Sequence, residues 1–536
     1  MVQASLTAAP AAMRETLLLQ GRSSVLQPER DRQRALEGES VAMASAPVGT
    51  RTSVQICRTA TELRRSLEGE FGLSASLGPL PLIGLRRTFQ ESLHTTSFSL
   101  SLVLRARRVL EGLEVQEPRL RADLVLPQTP EQLDKFVALH GDSWVRGVLR
   151  GAEVQGVFTL YAQSQQEAES LAQSLQAILP VQGVSLTPQF SQKLSQLSSS
   201  SGVNVNLNFQ VLGVRQPPLS TPEQLLAFIS GFGSLPIDQP VPLALDCRGY
   251  EEIAELLPLF DPVVRNRLLF LGDPARPSAA GLLQRQLCLR EIANQCRWVE
   301  DTYKLYGQTP DPSLRTNADR VRADLATIES LTVAFTKSAS TPLNDPDLSA
   351  LSLGSPRLAP RLLDGERLGG DGGQPFEFTD RFKAIARRRR LAGVALNAGK
   401  LIDQIRLTYV QEPDALSATS LPRQWTEAHG GTGGDDRGRL ELDLANHEQI
   451  LTLKANTGTG VDQLEFISSG GRRLSGGRPS NGGRASSWTP GPQQVLLGFQ
   501  GRAKTWLDAL QPVIADFSGA LHWEPLRLEG NGSTPE

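Results

Sequence analysis

Three short loops carry the residue types that could do chemistry. Gly399 stands four residues before Asp403 in "GKLID", and the spacing recurs at 458–462 in "GTGVD". At 504–508 the chain reads "KTWLD", with Lys504 in the glycine's place. Each loop opens onto an apolar run: "QIRL", "QLEF" and "ALQP". An ionised aspartate only accepts hydrogen bonds, and it accepts them with charge assistance. A neighbouring glycine lets the backbone turn tightly and lets a ligand approach without a Cβ in the way. That is chemistry of recognition. No Ser-His-Asp arrangement, HExxH, P-loop or clear dinucleotide fingerprint occurs, and the chain has 5 histidines. Neither enzymatic activity nor a cofactor is expected.

The elements that must hold these loops follow from glycine placement. Clusters at "GGDGG" (369–373), "GGTGG" (430–434) and "GGRPSNGG" (476–483) alternate with the aspartate loops. The period is about 55 residues, which suits a four-stranded unit, and three such units around an axis bury what one sheet cannot. Leu440, Leu442 and Leu444 alternate with Glu441 and Asp443, as a half-buried strand does. From residue 369 onward the text is that of an all-β unit.

With 536 residues the chain is too long for one core. Hydrophobic residues make up 39% and charged residues 21%, a soluble globular composition. A net charge of −2 implies no attraction to nucleic acid. Cys57, Cys247, Cys288 and Cys296 form no CxxC pair and have no histidine at metal spacing, so buried free thiols and no metal site are expected. No run of about 18 apolar residues marks a spanning helix. The first twenty residues lack the basic start and apolar stretch of a secretory signal. The expected organisation is a disordered arm over 1–50, an α+β domain over 51–337 and a Ser-, Pro- and Asp-rich linker over 338–368. An all-β domain over 369–525 and a frayed tail over 526–536 complete it.

Residues 369–525 resemble a jacalin-related lectin, a β-prism of three Greek-key sheets. "GGDGGQPFEF", "GKLIDQIRLTY", "HGGTGG", "HEQILTLKANTGTGVDQLEF" and "LLGFQGRAKTWLDAL" fall in that family's order. The resemblance implies carbohydrate sites, each pairing an aspartate loop with a glycine-pair loop. Asp403, with the amides of Lys400 and Leu401, would face Gly433 and Gly434. Asp508, with Thr505 and Trp506, would face Gly373; the family has glycine where Lys504 stands. Asp462, with Thr459 and Gly460, would face Gly482 and Gly483 across a longer glycine loop. Gly373 lies inside a continuous chain, whereas galactose-preferring members use a free glycine amine, so mannose- or glucose-type sugars are implied. The alternative stays open that the glycines only make turns and the aspartates only cap them. The "RRRR" at 387–390 is expected on a solvated loop or sheet end, contact with anionic lipid being the alternative.

Upstream, a helix over Leu133, Phe136 and Val137 leads into a strand at 143–149, a Gly-Ala step and a second strand at 153–161. "SFSLSLVL" (97–104) and "VNVNLNFQV" (203–211) alternate as strands, and 280–336 reads as two helices. This part resembles the membrane attack complex/perforin (MACPF) superfamily, whose signature is matched in spacing by Gly141, Trp144, Gly147 and Gly151; the signature's first aromatic, threonine, histidine and second glycine are replaced. The resemblance implies a bent antiparallel sheet flanked by two helical clusters, about 60–96 and 163–200, that refold into membrane-inserted β-hairpins in a ring of subunits. Leu171, Leu175, Ile178 and Leu179 show helix spacing, and Val184, Leu186, Pro188 and Phe190 show strand spacing. "GPLPLIG" (78–84) interrupts the other cluster. The expected function is a glycan-targeted pore former, released without an evident signal peptide. Its partners are cell-surface glycans, target-membrane lipids and further copies of the chain. The alternative is a non-lytic carbohydrate-binding or adhesion protein on the same scaffold.

Overall fold

The computed structural model describes residues 17–25, 32–44, 46–59, 62–63, 66–67, 99–161, 165–177, 190, 192, 196, 204–215, 219, 222–237, 239–272, 280–377, 384–385, 388–412, 423–481 and 483–525. The N-terminal part is built on β1 (Gly21–Arg22), β2 (Leu36–Ala42), β3 (Gly49–Cys57), β4 (Ser99–Leu120), β5 (Ser143–Tyr161), β6 (Asn204–Leu212) and β7 (Val241–Gly249). All pairings are antiparallel. β4 and β5, 22 and 19 residues long, form the spine. The outer edge of β4 is shared by β3 and β2, and that of β5 by β6 and β7. The sheet is therefore four strands wide over most of its length.

The segment expected as two strands around a Gly-Ala step is the single strand β5. The step survives as a register shift against β4 between Val109 and Glu111, opposite Arg150 and Gly151. A bulge absorbs one residue and bends the ladder without ending it. The arm expected over 1–50 is also corrected across its described part. Leu18, Leu19, Val25, Ala35 and Leu36 are buried, and β2 pairs with the far end of β4. Most residues of β2 face solvent, so its composition reads as polar even though its backbone is paired.

Helices cover both faces. α1 (Pro130–His140) starts at Thr129, whose hydroxyl accepts the Gln132 N–H at 3.3 Å, with Pro130 in the first turn. α2 (Gln165–Gln176) lays Ala172 and Leu175 on Leu100 and Leu160. On the same face Leu102, Leu104, Ala106 and Phe158 pack under Phe190 and under Leu225, Leu226 and Ile229 of α3 (Pro222–Gly231). On the opposite face Cys57, Val103 and Val157 lie under Leu63 and Leu67. The strand-like stretch 184–189, Ile178, Leu179 and most of 60–96 lie outside the described residues. α4 (Asp261–Leu271), α5 (Leu282–Leu305) and α6 (Pro312–Lys337) complete the helical layer; Asp311 caps α6.

The C-terminal part is a three-sheet prism. Its first sheet joins β9 (Arg361–Asp364), β10 (Leu368–Gly369), β11 (Gln374–Phe376), β20 (Gln494–Ala503) and β21 (Leu507–Asp516). The second holds β12 (Arg389–Ala398), β13 (Ile402–Gln411), β14 (Arg423–Gly430) and β15 (Asp435–Glu441). The third holds β16 (Ile450–Thr457), β17 (Val461–Ser468), β18 (Arg473–Gly477) and β19 (Arg484–Trp488). The segment expected as a linker over 338–368 supplies β9 and β10 to the first sheet. It also supplies β8 (Ser355–Leu358), which pairs with β22 (Leu521–Glu524). Leu348, Ala350, Leu358 and Leu368 are buried, so short strands replace a free tether.

The arginine run is corrected as well. Arg388 and Arg389 are buried at the start of β12, and the Arg389 guanidinium lies 4.2 Å over the Trp425 ring. Arg390 donates to the carbonyls of Leu305 at 3.2 Å and Leu444 at 3.0 Å and pairs with Glu412 at 2.5 Å. The Tyr306 hydroxyl donates to the Arg389 carbonyl at 2.7 Å. The run thus joins the C-terminus of α5 to the prism.

Candidate functional site

The three aspartate loops are the turns of the three central hairpins, β12–β13, β16–β17 and β20–β21. Each ladder shifts register at the same place, beside Ala398, Thr457 and Ala503. In each turn the first residue's N–H donates to the third residue's carbonyl: Gly399 to Leu401 at 3.1 Å, Gly458 to Gly460 at 3.1 Å, Lys504 to Trp506 at 3.0 Å. Neither Gly399, Gly458 nor Lys504 has a positive φ. A lysine therefore builds the same turn as the glycines of the other two loops.

The glycine loops face these turns. Gly369, Gly430 and Gly477 each open one, and the next residue's N–H donates to an aspartate carbonyl. Gly370 reaches Asp508 at 2.8 Å, Gly431 reaches Asp403 at 2.9 Å and Arg478 reaches Asp462 at 3.1 Å. At the closing end Gly434 and Gly373 have φ of 73° and 65°. A Cβ added there would stand 2.4 Å from Asp403 Oδ2 and 2.3 Å from Asp508 Oδ2, so only glycine leaves room beside those carboxylates. Gly433 also lies close, its added Cβ falling 2.9 Å from Asp403 Oδ1.

The loops also touch round a ring. A Cβ on Gly431 would meet the Thr505 carbonyl at 2.3 Å, and one on Gly370 the Thr459 carbonyl at 2.1 Å. The Arg478 N–H reaches the Lys400 carbonyl at 3.2 Å. All three aspartate loops therefore sit at one end of the prism, each against the glycine loop of a neighbouring sheet.

The three sites are not equal. Asp403 takes the Gly399 N–H at 2.8 Å, and Lys400 and Leu401 form the rest of its turn. Asp508 is buried, with Thr505 and Trp506 in its turn, and Trp506 is 42% exposed. Among the described residues no side chain donates to Asp403 or Asp508. Asp462, with Thr459 and Gly460 in its turn, accepts the Ser480 hydroxyl at 2.6 Å. Gly483 closes that loop; Gly482 lies outside the described residues. Ser480 and Asn456, whose Oδ1 takes the Ser480 N–H at 3.2 Å, are absent from the sequence-based site. Their only signal was that the loop 478–483 is longer than 370–373 or 431–434.

The glycine and tryptophan positions of the upstream motif are packing positions. Gly141 ends α1 with φ 79°, and a Cβ there would meet the Arg22 carbonyl at 2.0 Å. Trp144 is 2% exposed, and a Cβ on Gly147 would meet Met43 Cε at 2.8 Å. A Cβ on Gly151 would fall 1.9 Å from the Arg108 carbonyl, at the bulge. Between them Asp142, fully buried, accepts the Ser24 N–H at 2.7 Å and pairs with Arg267 at 3.7 Å. The motif pins α1, β1, β5 and α4 together. Burial pushes the Cys57, Cys247 and Cys296 thiols up to about 12, so none offers a thiolate near neutral pH. Among the described residues no group of three or more His, Cys, Asp or Glu could hold a metal ion. Among them, too, no helix is long and apolar enough to cross a membrane, which says nothing of strands in a barrel.

A family model described as a jacalin-like lectin domain matches residues 365–512. Similar solved structures include wild-type Malaysian banana lectin, at 23% identity over 29% of this chain and 98% of that one, with a TM-score of 0.23. A mannose-binding jacalin-related lectin from Ananas comosus shows 21% identity over 29% of this chain and 99% of that one, TM-score 0.23. Artocarpin complexed with methyl-α-mannose shows 18% identity over 29% and 98%, TM-score 0.23. No curated protein matches the chain.

Proposed function

We propose, from the jacalin-like lectin domain at residues 365–512, that this protein binds mannose- or glucose-type glycans through Asp403 and Asp508. The observation that carries the reading is the repeated geometry at these two aspartates. Each carboxylate has a glycine pair beside it, where an added Cβ would stand 2.3–2.9 Å from its oxygens, and a turn of matching hydrogen bonding. Sugar hydroxyls would donate to the carboxylates and accept from the amides of Lys400, Leu401, Thr505 and Trp506. Each site alone would bind in the millimolar range, about −4 kcal/mol, and two sites on one rigid end gain by avidity on a glycan-bearing surface. Titration calorimetry with methyl-α-mannoside, methyl-α-glucoside and methyl-α-galactoside tests this; binding of galactoside alone, or of none, removes it.

The N-terminal part is read as a MACPF-like module that oligomerises on the membrane and inserts hairpins. The support is a sheet four strands wide with a register shift at Gly151, Ala172 and Leu175 of α2 against one face and Leu63 and Leu67 against the other. The non-lytic adhesion protein remains the second reading. A disulfide between Ala172→Cys on α2 and Leu100→Cys on β4 separates them. Under the pore-forming reading the oxidised variant binds glycan-bearing liposomes and releases no dye, and reduction restores leakage. Wild type that binds such liposomes and never releases dye leaves the adhesion reading.

A further inference from the structure

The longer third glycine loop places one of its own side chains on the third aspartate. Asp462 Oδ2 accepts the Ser480 hydroxyl at 2.6 Å, the distance at which a ligand hydroxyl would stand. The serine is held there by its backbone. Its N–H donates to Asn456 Oδ1 at 3.2 Å, and its carbonyl accepts the Gly483 N–H at 3.1 Å. Ser480 Oγ also reaches the opposite turn: a Cβ on Gly458 would lie 3.5 Å from it. A Cβ on Gly483 would fall 2.6 Å from Ser480 Oγ and 2.2 Å from Asn456 Oδ1, so glycine there lets the loop close. Burial alone does not set this site apart, since Asp462 and Asp508 are 4% and 7% exposed. The difference is the side-chain donor.

We infer that Ser480 is an internal plug that occupies the third pocket as a ligand hydroxyl would and limits the chain to two carbohydrate sites. This rests on the carbohydrate reading of the Asp403 and Asp508 loops. The cause is loop length. The chain reads "GDGG" at 370–373 and "GTGG" at 431–434, but "RPSNGG" at 478–483. The two extra residues supply enough backbone for the loop to fold down onto its own aspartate. The intramolecular hydroxyl is always present at high effective concentration, which a millimolar ligand does not match.

Two variants of the full chain test this. Ser480→Gly removes the hydroxyl, and deletion of Pro479 and Ser480 shortens the loop to "RNGG". Glycine-selective ¹⁵N labelling places reporters in every site: Gly433 and Gly434, Gly372 and Gly373, and Gly458 and Gly460. On titration with methyl-α-mannoside the wild type is expected to shift the first two sets and leave Gly458 and Gly460 still. Both variants are expected to shift all three sets, the third saturating within about tenfold of the other two. Movement of Gly458 and Gly460 in the wild type, or their stillness in a variant whose other sets titrate, overturns the plug and leaves the lectin reading standing. If no set moves in any protein, the lectin reading falls and the plug falls with it.

Discussion

Asp403 holds one carboxylate oxygen against the Gly399 amide at 2.8 Å and keeps acceptor capacity beside Gly433 and Gly434. Losing a charged acceptor costs about 1.5–3 kcal/mol, or roughly ten- to a hundredfold in affinity. Asp403→Ala is expected to lose binding at that site by this factor, read as the fading of its contribution in calorimetry; an unchanged isotherm would make the loop purely structural. A second carboxylate makes a different prediction. Glu448 accepts the Ser468 hydroxyl at 2.5 Å and the Asp443 N–H at 2.7 Å, and it pairs with Arg472. The Arg472 guanidinium, helped by these bonds, lowers its pKa from 4.5 to about 2. A folded-state value below the unfolded one stabilises the protein fully above pH 4.5, and that contribution is lost as pH falls toward 2. Glu448→Gln is expected to lower the melting temperature at pH 7 and to flatten this part of the acid limb. Parallel wild-type and variant curves between pH 5 and about 2 would remove the pair from the account.

At the scale of elements, the N-terminal sheet carries a buried charge cluster under one of its covers. Arg107 pairs with Glu153 at 2.5 Å, and Arg105 lies 4.0 Å from the same oxygen. The guanidinium of Arg105 also donates to the Ser66 carbonyl, and Gln155 donates to that of Leu67 at 2.9 Å. The cover over this face is thus held by polar latches as well as by Leu63 and Leu67. Removing one partner of a buried pair leaves an uncompensated charge and costs about 3–5 kcal/mol. Glu153→Gln is expected to lower the urea midpoint accordingly and to raise protease cleavage near residues 62–67 before global unfolding. A variant as stable as wild type would mean that water reaches these arginines.

For the whole molecule, the decisive feature is the joint between α5 and the prism. Tyr306 packs at a tilt against Phe517 with centroids 5.6 Å apart and donates to the Arg389 carbonyl, while Arg390 ties Leu305, Leu444 and Glu412 together. β8 lies against α5, β22 pairs with β8, and both continue the same core. Arg390→Ala is expected to uncouple the halves, splitting one calorimetric unfolding transition into two. Retention of a single transition with an unchanged midpoint would show that the apolar contacts suffice.

The three-fold repeat of Gly-to-Asp turns and glycine loops was legible in the sequence because a tight turn and a close approach restrict residue type locally. The helices at 130–140 and 312–337 were legible from apolar residues at helical spacing; their caps at Thr129 and Asp311 came with the structure. Tertiary structure alone decided the rest. Polar β2 and the short strands β8–β10 of the Ser-, Pro- and Asp-rich segment are strands only because distant partners pair with them, and local composition carries no trace of a partner. Arg388 and Arg389 are buried and Arg390 is paired because Trp425, Glu412 and the end of α5 converge on them from residues far apart in the chain. Ser480 reaches Asp462 across eighteen positions, so a residue with no local signal distinguishes the third pocket from its two neighbours: hydrogen bonds are selected by distance in space, and only the folded chain sets that distance.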